Sequence, residues 1–193
     1  MELSTLFMQR YDALYNFWIA DLWERVPDEL MRQCPQARVN SIAWNLWHLS
    51  RVEDAGLNRF VSDRPQVLED GWVEWMGVPW RDNGGEMSMP EVETLSQHIS
   101  IPALHGYSDA VQARTRQIVS TLSMQDLDEV LEADRLRMIM VDEGLAHLNP
   151  EGLLKNYLGW TKGKCLLNFG LTHPYQHIGE IGVIASLLGV VFD

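Results

Sequence analysis

His48, His173 and His177 are the residues whose type and spacing could do chemistry in this chain. His173 and His177 stand four apart in the run HPYQHIGE. On an α-helix that spacing puts both imidazoles on one face, about 6 Å apart along the axis. Two imidazoles so placed can converge on one metal ion, and a histidine from another helix completes a three-nitrogen face. Three protein ligands with an open position is the arrangement of catalytic zinc and related divalent ions. Glu180 follows at i+7 from His173 and i+3 from His177, which returns it to the same side of the helix.

The helix that must carry His48 starts at Asn40-Ser41, an N-cap, and runs from about Ile42 to Val61. At about 100° per residue, Trp44, Asn45, Arg51, Val52, Ala55 and Arg59 fall within about 60° of His48. An apolar band holding an amide, a histidine and two arginines is unusual for a helix that only packs. On this geometry Arg51 and Arg59 are candidates to anchor a substrate carboxylate. The last helix is expected from about Thr161 to Leu188, with Gly189 as its stop. It is apolar on most sides and reads as a central helix, in which a polar row must pair or bind something. Pro174 removes a backbone donor and collides with the carbonyl of Gly170, so a kink or local widening is expected there.

The remaining elements form the frame. From Ser4 to Val26, Leu6, Phe7, Tyr11, Leu14, Trp18, Leu22 and Val26 make one apolar stripe, closed by Pro27. A third helix is expected over about Pro90 to Ser123, with a break near Ile101-Pro102. Between them, Ser62 to Met89 is rich in Gly, Pro, Asp and Trp, a long connection of the kind that covers a site. From Met124 to Asn156, Leu136, Met138 and Met140 alternate with Arg137 and Ile139, as in a short strand or extended crossover. Asn149-Pro150 marks a turn into a short helix. Four long amphipathic helices imply an all-α fold, a four-helix bundle with long crossovers after helices two and three, forming one domain over residues 1–193.

Composition narrows the function. A chain of 193 residues, 46% hydrophobic, has enough apolar mass for one sizeable core. The net charge is −12, from 15 basic and 27 acidic residues. No cluster of Lys and Arg could neutralise phosphates, which argues against nucleic acid and anionic membranes as partners. No run of about 18 apolar residues could span a bilayer. MELSTLFMQRYD lacks a basic segment followed by an apolar one, and Cys34 and Cys165 form no CxxC; reduced thiols and a cytoplasmic location are expected. Five of the eight tryptophans, Trp44, Trp47, Trp72, Trp75 and Trp80, cluster in or after the His48 helix, as pocket walls or as core. His98 and His105 read as surface residues and Cys165 as a small buried one. His147 lies in the crossover, which could fold over a site.

The run NSIAWNLWHLSRVED around His48, the long crossover and the late HPYQHIGE element resemble the DinB/YfiT-like superfamily of metal-dependent enzymes. The resemblance implies a four-helix bundle that holds a divalent metal, zinc or nickel, on one histidine of the second helix and two of the last. Carried over, these are His48, His173 and His177. It also implies a thiol-dependent S-transferase or a hydrolase acting on a small molecule, with a low-molecular-weight thiol as partner. Two residues depart from the family pattern: Glu180 stands where a glutamine is common, and Pro174 lies within HxxxH. Glu180 is the candidate for proton handling or for orienting a ligand. An apolar bundle of this kind also allows a homodimer. The competing reading is a non-catalytic binding or stress-response protein with a structural metal or none.

Overall fold

A computed structural model of the chain describes residues 3–145 and 150–192. Four long helices dominate it. We label them α1 (residues 3–25), α2 (residues 42–62), α3 (Ile101–Thr121) and α4 (residues 162–187). Helix α1 packs on α3 and α4, and α2 packs on the same two from the other side. Among the described residues there is no strand; one isolated bridge joins Val130 to Thr161. No helix there is long and apolar enough to cross a membrane.

Three of these helices contain a π-type turn: Leu14–Ile19 in α1, Gly56–Ser62 in α2 and Asn168–Thr172 in α4. Each wider turn shifts the helical phase. In α1 the shift moves the buried stripe onto Tyr15 and Ile19, leaving Trp18 50% exposed; Leu6, ahead of the turn and beside the buried Phe7, is 44% exposed. Those two were expected inside. In α4 the widening falls where Pro174 predicts it. The His173 N–H reaches back to the carbonyl of Asn168, and Pro174 enters the first turn of His173–Leu187.

The central helix is α2. All 14 residues of Ile42–Ala55 are buried, because α3, α4, Asp28–Met31, Met89–His98 and Val67–Asp70 cover every side of it. Helix α4, expected at the centre, instead turns Gln176, Gly179, Glu180, Val183 and Leu187 to the outside. Its apolar composition gave no indication of which side would be covered.

Burying every side of α2 obliges its polar residues to find partners. The Glu53 carboxylate accepts hydroxyl hydrogen bonds from Tyr11 at 2.5 Å, Thr115 at 2.6 Å and Tyr15, tying α1, α2 and α3 together. Desolvation outweighs those bonds and raises its pKa to about 7. Asp54 accepts from Tyr107 Oη at 2.7 Å and from the backbone N–H groups of Val67 and Leu68 at 2.8 and 2.9 Å. It thereby caps the 3-10 turn Val67–Asp70.

The expected third helix is two, Met89–His98 and Ile101–Thr121, with Ser100 capping the second. The segment near Met138, expected as a short strand or extended crossover, is helical: Ala133–Arg137 continues as a π-type turn, Met138–Asp142. The buried residues there are Leu136, Ile139 and Met140, a helical spacing, whereas Met138 is 39% exposed. The alternation of residue types did not match the alternation of burial.

Candidate metal centre

The structure brings His48, His173 and His177 together, with one nitrogen from each within 4.8 Å of the other two. His48 comes from α2 and the other two from α4, just after the widened turn. The Nε2 atom of His173 lies 3.2 Å from Nε2 of His48 and 3.2 Å from Nε2 of His177. Nitrogens bound at about 2.0–2.1 Å to one ion stand roughly 3 Å apart.

The outer ring atoms determine the proton positions. His48 Nδ1 meets the carbonyl of Asn83, which can only accept, so Nδ1 carries the hydrogen. His177 Nδ1 meets Asn45 Oδ1 and Glu180 Oε2, both at 2.9 Å, and must also donate. Both residues therefore aim an Nε2 lone pair at the same point. His173 has one Nε2 and can supply a hydrogen to only one of them. A cation between the rings satisfies all three, and anchoring each imidazole through its other nitrogen is how proteins orient metal-binding histidines. The Nδ1 of His173 is buried with no described partner.

Burial favours the neutral form of His48 and His173. It lowers His48 to about 4 despite the Asn83 carbonyl, and with the neighbouring imidazoles it lowers His173 to about 3. The Trp44 indole stacks on His48 at 4.7 Å between centroids and 9° between planes, fixing that ring's tilt.

The long connection supplies the carbonyl that orients His48. In Asp82-Asn83-Gly84-Gly85, side-chain oxygens of Asp82 and Asn83 accept from the N–H groups of Gly84 and Gly85. Gly84 has φ +74°, and a Cβ there would lie 2.3 Å from Trp47. Only glycine lets this turn close against α2.

Arg51 holds the turn from beneath. It is fully buried. Its Nε donates to the Asp82 carbonyl, Nη1 to Asp54 and Tyr107, and Nη2 to Gln66 and the Arg81 carbonyl. All five guanidinium hydrogens are thus engaged inside the protein. Arg59 grips both carboxylate oxygens of Glu143 and also reaches Asp63. It lines a separate cavity of about 320 Å³ whose described lining has no histidine. The structure therefore brings Glu180 to the histidine cluster and leaves Arg51 and Arg59 outside it. Sequence reasoning passed over the Asn83 carbonyl, although Asp-Asn-Gly-Gly in a long connection is a turn signature.

A cavity of about 210 Å³ opens onto His48 and His173. Its walls include Val52, Ala55 and Phe60 of α2, Phe169 of α4, and Met140, Leu153 and Tyr157 of the crossover. The crossover thus lines the site through Met140, Leu145 and Leu153; His147 itself lies outside the described residues. His98 and His105 are exposed, and His105 stacks on Trp23. Cys165 is buried, which pushes its thiol up to about 12 and leaves it unreactive.

The family model of the DinB superfamily matches residues 19–181 of this sequence. Among solved structures, a conserved protein from Enterococcus faecalis has a similar fold, with a TM-score of 0.72 at 16% identity. The likeness covers 98% of this chain and 99% of that one. A comparison with curated proteins finds no match.

Proposed function

The chain belongs to the DinB superfamily, and from that premise we propose a metal-dependent enzyme acting on a small molecule. In this reading His48, His173 and His177 hold one divalent ion, zinc or nickel, through their Nε2 atoms. The observation that carries it is the convergence of those atoms, two of them lone pairs fixed by Nδ1 contacts. Four long helices with mutual packing support a four-helix bundle with long crossovers, forming a single domain.

When bound, such an ion lowers the pKa of a coordinated thiol or water and polarises a carbonyl. The chain's residues contribute orientation and exclusion of water. Asn83 and Asn45 hold His48 and His177 in the required tautomer, and Trp44 fixes the plane of His48. Glu180 accepts the Nδ1 hydrogen of His177 and so makes that imidazole a stronger donor. Its exposure, 55% for the side chain, supports a proton-handling role in this reading. The apolar cavity walls shed water from the substrate that meets the open side of the cluster. The reaction class this favours is transfer to a thiol, or hydrolysis. A metal with a purely structural role would be enclosed by protein, and the cavity reaching His48 and His173 weighs against that.

Elemental analysis of untagged protein, wild type beside His48→Ala, tests the reading. One equivalent of divalent metal in the wild type and none in the variant is the expected result. Metal retained at one equivalent by His48→Ala would refute it.

A further inference from the structure

The cavity beside the histidines has a chemical character that the metal reading alone does not specify. Its described lining is apolar for most of its surface, with Val52, Phe60, Met140, Leu153 and Phe169 as the bulk of the wall. No lysine or arginine is among the described lining residues, and the one carboxylate there is Glu86. The two arginines on the His48 helix cannot serve. Arg51 has every donor engaged beneath the 81–83 segment, and Arg59 is held by Glu143 and Asp63 in another cavity. A carboxylate or phosphate placed against these walls would lose its water without gaining a cation from the described lining.

Size adds a second limit. The volume is about 210 Å³, and a dry apolar cavity of about 150 Å³ accommodates benzene. One substituted ring, or an aliphatic group of the same bulk, fits within it. Gly56 brings α2 and α4 close at one wall, where a Cβ would lie 2.4 Å from the Phe169 ring.

We infer that this site takes a substrate whose donor atom meets the histidines and whose body is a single uncharged apolar group, and that it discriminates against the same molecule carrying a distal carboxylate. This rests on the metal reading for the donor atom, but not for the body of the ligand. It replaces the expectation that an arginine anchors a substrate carboxylate.

Two thiols with the same donor test it: benzyl mercaptan and 4-(mercaptomethyl)benzoate, titrated calorimetrically into zinc-loaded protein. The neutral thiol is expected to bind at least about tenfold more tightly, a difference of roughly 1.4 kcal/mol. Leu153→Arg puts a cation on the crossover wall, away from the central helix, and is expected to narrow or reverse the ratio, with circular dichroism confirming the fold. Equal affinities, or preference for the carboxylate in the wild type, would overturn the inference while leaving the metal centre intact. Metal-free protein separates the two claims. Toluene titrated by NMR should give saturable shifts of the Val52 and Leu153 methyls, and benzoate should not. Shifts with toluene in a protein that binds neither zinc nor nickel would support the apolar site and refute the metal reading. Absence of shifts with toluene would overturn the inference.

Discussion

Replacing Glu53 by glutamine should make stability less dependent on pH above about pH 5, through a buried charge remote in role from the histidines. Glu53 lies fully buried where α1, α2 and α3 meet, and desolvation raises its pKa from 4.5 to about 7 despite three hydroxyl donors. Between those values the folded state holds a proton that the unfolded chain has released. The stabilising effect is therefore complete below 4.5 and is lost as pH rises through 7. At about 1.4 kcal/mol per pH unit the full loss is roughly 3 kcal/mol. His48 and His173 act in the opposite sense in metal-free protein. Their folded values, about 4 and about 3, lie below the ordinary 6.5, so their contribution is lost as pH falls below that value. The wild-type curve should therefore have a maximum near mildly acidic pH. The comparison that isolates Glu53 is urea unfolding of metal-free wild type and Glu53→Gln, with chelator present, from pH 5 to 8. Glutamine mimics the neutral acid, so the wild type should lose about 2–3 kcal/mol relative to the variant across that range. Parallel curves would show that Glu53 keeps an ordinary pKa in the fold and would refute the argument that desolvation dominates its three hydrogen bonds.

Two other substitutions address the support of the candidate site. Gly84→Ala combines a left-handed residue, at about 1–2 kcal/mol, with overpacking against Trp47, at about 1–3 kcal/mol. Chemical denaturation should show that loss, and zinc competition titration should show affinity reduced about tenfold or more as the Asn83 carbonyl moves. An unchanged affinity would mean that the carbonyl does not orient His48. Arg51→Met leaves Asp54 without its ion-pair partner and two carbonyls of the 81–83 segment without donors. The expected loss of stability is about 3–5 kcal/mol, read by urea unfolding, and a loss below about 1 kcal/mol would show that the buried pair contributes little.

Spacing alone put His173 and His177 on one face and set His48 on a helix with a mixed polar face, because helical geometry relates residues a few positions apart. Pro174 marked the widened turn, since a missing N–H must disturb the ladder wherever it falls. The long helices were legible for the same local reason. Which helix is central was not. Helix α2 is covered on all sides by neighbours distant in sequence, whereas the more apolar α4 keeps one side outward. Arg51 and Arg59 fall within the same roughly 60° of His48 as Asn45, yet only Asn45 belongs to the cluster. The fates of the arginines depended on partners at Asp82, Gln66, Tyr107 and Glu143, which no periodicity links to them. The Asn83 carbonyl is a backbone atom with no signature of its own. Sequence determined the three candidate histidines and their local register. Tertiary packing decided which nitrogen of each imidazole faces the centre, what surrounds it, and whether a cation is left free to meet a substrate, because these depend on contacts between segments brought together only in the folded chain.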